Sequence, residues 1–388
     1  MFITNQKDLS DFLARANKSD AVSVDTEFIR DNTYWPKLCL LQMALKDEDV
    51  LIDPFKVDVS VIADLFKNEH VVKIFHSPRQ DIEILRHECG YFPIPLFDTQ
   101  TAAAFLGYSL QIGYGHLVEK ELGVHLKKGD SYSDWAMRPL SKSQLQYAAD
   151  DVIYLHDLYY KMSKRLKDLG RLDWVAQDTN AKYLYAKVYD IEPRERFAKL
   201  KHLGSLKDKQ ISIAREVCEW RENYAMEHDM PRKWVLTDNQ ILEICKRKPN
   251  NISELFKIRD IKKNFDTKSA REIVDAVKAG VTSKEFPYIN KAGDVQYRNE
   301  DFSNYDIEGE IDLMSAIVRI RAKENYIAPQ VLSSKTDLNL IAHGVRSDIP
   351  TLKGWRREIV GLDLLDLMDG KISLKLDKGK VIKKCISQ

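Results

Sequence analysis

No stretch of the chain approaches the roughly 18 consecutive apolar residues that a membrane-spanning helix requires. The amino terminus, MFITNQKDLSDFL, has no basic start followed by an apolar run, so no secretory signal is expected. Cysteine is scarce. The five cysteines (Cys39, Cys89, Cys218, Cys245 and Cys385) are odd in number, widely spaced and without a C-x-x-C pair. That pattern argues against a disulfide framework, gives no support to a zinc site, and fits reduced thiols. Net charge is almost absent at +1, so any nucleic-acid surface must arise from local segregation of charge. No G-x-x-x-x-G-K-[ST] loop occurs, which excludes a P-loop ATP-driven motor. A soluble, cytoplasmic, monomeric protein with no membrane partner is expected.

What the chain does have is length and a patterned core. At 388 residues it exceeds one ordinary domain, and 44% apolar residues support packed cores rather than disorder. The most informative segment is AVSVDTEFIRD, where Asp25 and Glu27 end a Val/Ala-rich run that reads as a buried β-strand. Side chains at i and i+2 of a strand share a face. Two adjacent anions beside an apolar run are unfavourable unless a cation lies between them, and a divalent ion that prefers oxygen ligands meets that need.

Up to about residue 165 strand-like and helix-like segments alternate. Strands are expected at 21–28, 39–45, 50–53 and 71–76, and helices at 78–87, 99–106, 112–122 and, as one long element, 141–166. Three strands before the first strong helix suggest a mixed sheet with an initial meander followed by α/β crossovers. Beyond about residue 175 strand signals fade and the chain reads as mostly helical. Residues 189–210 look like a connection, and 287–306, polar and broken by Pro and Gly, look like a second. Two C-terminal stretches repeat one pattern: Ala225, Pro231, Asp238, Ile244, Ile252 and Leu255 in the first, and Ala322, Pro329, Asp337, Ile341, Ile349 and Leu352 in the second. This implies two copies of one small helical domain.

Two further acidic positions accompany Asp25 and Glu27. In IFHSPRQDIEIL, Asp81 falls in the first turns of a helix that directly follows a buried strand. In SKSQLQYAADDVIYLHDLYYKM, Tyr147 and Asp151 stand at i and i+4, which stacks them on one helical face. Each motif alone has an ordinary surface explanation. As an ordered set, together with VDTEFIRDNTYWPKLCLLQMA, FDTQTAAAFLGY and DWAMRPLSKSQLQYAADDVIYLHDLY, they resemble the DEDD exonuclease superfamily in its tyrosine-bearing branch, and within it the ribonuclease D family. The two C-terminal stretches resemble the HRDC domain.

The resemblance implies an α/β exonuclease domain with a ribonuclease H-like mixed sheet over 1–175, a helical linker over 176–206 and an all-α HRDC-like domain over 207–285. A linker over 286–306 and a second all-α HRDC-like domain over 307–388 complete the chain. It implies 3′-5′ hydrolysis of RNA to nucleoside 5′-monophosphates, with tRNA precursors or other structured small RNAs as partners. Asp25, Glu27, Asp81 and Asp151 would hold two Mg²⁺ or Mn²⁺ ions, and Tyr147 would orient the attacking water. An unperturbed phenol titrates near 10, which favours positioning over general-base catalysis.

Thr26, Phe28 and Gln42 are candidates to line the terminal-base pocket, with core packing the competing role for Phe28. His76 is a substrate-side candidate for which a structural hydrogen bond is favoured. Arg138 stands between phosphate contact and anchoring its own loop. Lys246, Arg247, Lys248, Lys262 and Lys263 form the densest basic run, readable as a solvated face or as a track for RNA phosphates. A DNA exonuclease of the same superfamily and a silent RNA-binding module are the alternatives, and the intact acidic set argues against the second. Every one of these metal motifs lies before residue 152, so a chain ending near residue 205 would keep them all.

Overall fold

The computed structural model describes the chain except residues 128–132, 191, 260, 262–264, 286, 290–294, 298–306 and 387–388. The contacts divide it into two compact units, one made of residues 1–29, 38–188 and 304–388, the other of 30–37 and 189–303.

The first unit is built on a six-stranded sheet, β1 (Phe2–Ile3), β2 (Ala21–Ile29), β3 (Lys37–Leu45), β4 (Glu48–Ile52), β5 (Val72–Phe75) and β6 (Leu96–Asp98), in the order β1-β4-β3-β2-β5-β6. β3 and β4 pair antiparallel, while β1 with β4, β2 with β5 and β5 with β6 pair parallel. The expected mixed sheet is therefore present. β2 lies between two partners, and its first four residues are fully covered. Its register with β5 ends at Ser23 opposite Ile74, so Asp25 and Glu27 lie just past the paired stretch. Parallel sheets place ligand crevices at the carboxyl ends of their strands, and β2 delivers its carboxylates there.

The expected order fails at the amino terminus. Helix Gln6–Ala16 precedes the meander, capped by Asn5 and burying Leu9, Phe12, Leu13 and Ala16 on one face. Its i, i+3, i+4 spacing is visible in DLSDFLARA. The expected single helix over 141–166 is two, Lys142–Ile153 and Leu155–Asp168, broken at Tyr154.

The region after residue 175 is mostly helical, with a correction at the end. Ile372–Asp377 and Lys380–Cys385 form an antiparallel hairpin, so the last domain is not all-α. Lys378 and Gly379 both have positive φ (46° and 77°), as a tight primed turn requires. The alternation in ISLKLD is the signal that periodicity offers. The expected linker at 286–306 lies largely outside the described residues, although short strands occur at 287–289 and 295–297. The expected boundary at 175 falls inside helix Leu172–Tyr183.

The two repeats share their element order. Each opens with a long helix (Asp208–Glu227; Glu308–Asn325), followed by a one-turn helix (Arg232–Val235; Pro329–Leu332), a medium helix (Asp238–Arg247; Lys335–Ala342) and another single turn (Ile252–Leu255; Pro350–Leu352). In the second unit, Ile213, Val217, Ile241, Ile273 and Val277 form the core of the first repeat. A Cβ at Gly280 would lie 2.4 Å from the Ile213 Cα, so this helix pair needs glycine at its closest approach.

The second repeat belongs to the first unit and shares one apolar core with the sheet domain, Phe105, Val175, Met314, Ile317, Leu332 and Trp355 among its members. The Trp174 and Trp355 rings stack at 4.6 Å and 7°. Arg171 donates to Phe105 O at 3.0 Å and to Asn325 O at 2.6 Å, and Ala328 N donates to Ala104 O at 2.8 Å. Arg356 pairs with Asp178.

Candidate active site

Carboxylate oxygens of Asp25, Glu27 and Asp151 lie within 4.8 Å of one another. Strand alternation brings Asp25 and Glu27 together. Asp151 comes from helix Lys142–Ile153, whose start is fixed by a reciprocal capping box between Ser141 and Gln144. Asp81 lies in the first turn of helix Arg79–Cys89, is nearly buried, and accepts the Thr26 hydroxyl at 2.5 Å. It therefore stands beside the trio rather than within it, held through the residue between Asp25 and Glu27.

Burial raises the pKa of all four acids, and repulsion within the cluster adds to it for Asp25, Glu27 and Asp151. Asp25 is driven well above the carboxylate range by burial, then by Asp81, Asp151 and Glu27. Burial, then Asp151 and Asp81, lifts Glu27 to about 8. Burial lifts Asp151 to about 7, against a hydrogen bond from the Tyr147 hydroxyl, and lifts Asp81 to about 6, against the Thr26 hydroxyl. Among the described residues no Lys or Arg relieves these acids. A concentrated set of oxygen donors without a protein cation fits a hard divalent ion.

Tyr147 bonds Asp151 one turn away, and burial followed by the Asp151, Glu27 and Asp25 charges pushes its phenol upward, which keeps the hydroxyl neutral. Its ring leans on Trp135, with centroids 6.1 Å apart.

Tyr114 is a site residue that sequence reasoning missed. Its hydroxyl donates to Asp150 O at 2.9 Å and bonds the backbone of Tyr154. That places it in the i to i+4 gap of the helical ladder, which is why the helix breaks at Tyr154, three residues after Asp151. Nothing in the spacing of Tyr114 announces this, because the contact spans 36 residues of sequence. Tyr114→Phe is expected to cost about 1–3 kcal/mol, since it leaves buried backbone groups unpaired, and to lower kcat by releasing Asp151. Thermal melts and steady-state kinetics check this; a lower melting point with wild-type kcat would show that the break does not position Asp151.

The substrate-side candidates separate by their partners. Nε2 of His76 donates to Ile112 O at 3.0 Å and Nδ1 lies 2.9 Å from the Thr99 hydroxyl oxygen, so both nitrogens are engaged. Every Arg138 donor is taken, by Asp53 (2.9 Å to each oxygen), Cys39 O, Trp135 O and Met137 O. Arg138 anchors its loop and has no donor left for phosphate. Thr26 holds Asp81. Phe28 is half-buried, and Gln42 is fully buried with neither amide atom partnered among the described residues. In the basic run, Lys246 and Arg247 both approach Glu243, at 3.7 and 3.4 Å, and Lys248 ends the helix in a left-handed conformation. Lys262 and Lys263 lie outside the described residues.

Residues 1–167 match the 3′-5′ exonuclease family and residues 210–277 the HRDC domain. A ribonuclease D of Bartonella henselae is 37% identical over 386 residues, covering 98% of this chain and 92% of that protein. The chain belongs to the ribonuclease D family. A second ribonuclease D, from Nitrobacter hamburgensis, is 36% identical and covers 98% of each chain. The crystal structure of Escherichia coli RNase D, described as an exoribonuclease involved in structured RNA processing, matches with a TM-score of 0.81 over 95% of this chain and 98% of that one. At 22% identity that likeness shows the shared fold. Membership of the ribonuclease D family makes the chain a 3′-5′ exoribonuclease. Among the described residues no helix is long and apolar enough to cross a membrane.

Proposed function

We propose that this ribonuclease D trims the 3′ ends of structured small RNAs such as tRNA precursors, releasing nucleoside 5′-monophosphates, with four carboxylates and one tyrosine as its machinery. The observation that carries the reading is the convergence of Asp25, Glu27 and Asp151 within 4.8 Å, with no cation among the described residues to offset them. These residues and Asp81 would hold two divalent ions, Mg²⁺ or Mn²⁺. Such ions lower the pKa of a bound water and stabilise charge on phosphate and leaving oxygen.

The chain's own residues supply the rest. Asp25 and Glu27 offer oxygens from one strand face, so their separation is fixed by the extended backbone. Thr26 keeps Asp81 oriented through its hydroxyl. Tyr147, whose hydroxyl donates to Asp151 and stays neutral near pH 7, accepts one hydrogen bond from a water and fixes its direction. In domain terms, the exonuclease domain extends to the helix ending at Tyr183, 207–285 is the first HRDC-like copy, and 307–388 is a diverged second copy that has gained a hairpin.

Digestion of 5′-labelled RNA, matched DNA and RNA with a blocked 3′ end, each with Mg²⁺, Mn²⁺ or EDTA, tests this reading. Shortening of free-ended RNA alone, abolished by EDTA, is expected. Equal digestion of DNA would favour the DNA exonuclease reading, and activity in chelator would end the metal assignment. Tyr147→Phe is expected to keep metal affinity while losing on the order of 10²–10⁴-fold in kcat. Titration calorimetry together with single-turnover rates separates the two effects; lost metal affinity without a separate rate defect would make Tyr147 a ligand-supporting group only.

A further inference from the structure

A cavity of about 590 Å³ opens within the unit formed by residues 30–37 and 189–303. Its volume lies in the range of roughly 300–1,000 Å³ typical of ligand sites. Seven of its lining side chains are Lys or Arg against two carboxylates, in a chain whose net charge is +1. None of these residues belongs to the acidic cluster or to the basic run at 246–263.

The two carboxylates are already committed. Glu222 is fully buried, accepts the Tyr34 hydroxyl at 2.8 Å, and has guanidinium nitrogens of Arg232, Arg196 and Arg221 at 3.5, 3.7 and 3.8 Å. Asp238 takes Arg221 at 2.9 Å and the backbone N–H of Lys201 at 3.2 Å. Three guanidiniums thus share two acids, and a positive excess remains in a partly desolvated wall. Nε of Arg221, a residue only 6% exposed, has no hydrogen-bond acceptor among the described residues. Lys199, Lys201 and Lys233 line the same wall, and their ammonium groups form no ion pair among the described residues. A buried guanidinium with an unpartnered donor, flanked by half-buried guanidiniums and exposed ammonium groups, calls for another anion. Planar guanidiniums with flanking ammonium groups suit phosphate oxygens.

The wall also has a covalent link to the carboxylate strand. Arg30 follows Glu27 by three residues in the sequence. The Tyr34 ring lies 5.8 Å from the Arg232 guanidinium, and Tyr34 N donates to Asp229 at 3.0 Å, so this segment is fixed to the first repeat.

We propose that this cavity is a phosphodiester-binding subsite for the substrate strand, holding backbone phosphates of the RNA whose 3′ end is hydrolysed. The proposal rests on RNA being the substrate and adds where, and by which groups, the strand is held. A polymer with one charge per nucleotide satisfies cations spread over several residues, which a free mononucleotide cannot span.

The test uses the full-length protein in EDTA, with fluorescein-labelled RNA stem-loops carrying 3′ tails of increasing length, read by fluorescence anisotropy across salt concentrations. Lys199→Ala/Lys201→Ala/Lys233→Ala leaves the arginines of the wall in place, and circular dichroism verifies its fold. Binding of long-tailed RNA is expected to weaken by about 10–100-fold, with a log affinity–log salt slope shallower by about 0.7 for each phosphate no longer neutralised. Arginine at the same three positions is expected to restore both. Wild-type affinity and slope in the alanine variant would overturn the proposal. Displacement of long RNA by millimolar AMP or inorganic phosphate would also overturn it, in favour of a mononucleotide or phosphate site. A parallel arm gives the wild type 5′-labelled RNA with Mg²⁺. Failure to shorten it from the 3′ end would defeat the exoribonuclease reading, whereas shortening with unaltered binding by the variant would defeat only the subsite.

Discussion

Asp25→Asn is expected to lower turnover of free-ended RNA by at least about 10³-fold while raising the melting temperature of the chelated protein at pH 8. Both effects come from one carboxylate. Asp25 is acted on by Asp81, Asp151 and Glu27 together. Its loss would remove one ligand of the proposed metal site, whose charge stabilisation is worth several kcal/mol, and each 1.4 kcal/mol is about tenfold in rate.

In EDTA the same cluster opposes folding. Glu27, Asp151 and Asp81 titrate in the native state near 8, 7 and 6, whereas unfolded carboxylates titrate near 4. A raised native pKa means that the unfolded chain gives up its protons first. This part of the stability is therefore fully present below about pH 4 and is lost as pH rises through about 6 to 8. The asparagine variant is expected to flatten that decline. Differential scanning calorimetry from pH 4 to 8 with EDTA, paired with single-turnover rates in Mg²⁺, measures both effects. Wild-type turnover in the variant would put the metal site elsewhere, and an unchanged pH slope of the melting temperature would remove the repulsion argument.

Trp355→Ala is expected to destabilise the exonuclease domain itself, by about 3–5 kcal/mol, although residue 355 lies more than 200 positions from the last metal motif. The Trp355 ring stacks on Trp174 at 4.6 Å, touches Phe105 at 5.4 Å and lies under the Arg356 guanidinium at 4.3 Å. Its removal opens a cavity in a core that both parts share. Set against a total stability of about 5–15 kcal/mol, the loss is large. A chain ended near residue 205 should fare worse. It keeps every carboxylate, as the order of the motifs implies, but exposes the apolar face of Phe105, Trp174 and Val175 that the second repeat covers. Aggregation, or a melting point well below wild type, is the expected result. A soluble, fully active fragment with the wild-type melting temperature would mean that the second repeat is not a brace.

The sequence by itself determined the site's local geometry and the class of the sheet. D-x-E on a strand and Y-x-x-x-D on a helix are fixed by periods of 2.0 and 3.6, so the pairing of Asp25 with Glu27 and of Tyr147 with Asp151 follows from spacing alone. The run of strands ahead of the α/β crossovers announces a mixed sheet. The amphipathic helix Gln6–Ala16 and the hairpin Ile372–Cys385 also follow regular periods, but each is short and lies near a chain end, where few turns or alternations are available to establish the pattern.

Only the tertiary structure decided the rest. Whether Arg138 meets phosphate or anchors a loop depended on Asp53, 85 residues away. Whether the helix runs through residue 154 depended on the hydroxyl of Tyr114. The second repeat resembles the first in element order, but it joins the exonuclease core through contacts such as Arg356 with Asp178 across 178 residues. Periodicity reports which face of an element is apolar, because that depends on near neighbours along the chain. What covers that face, and which donors remain free once it is covered, is settled by pairings distant in sequence.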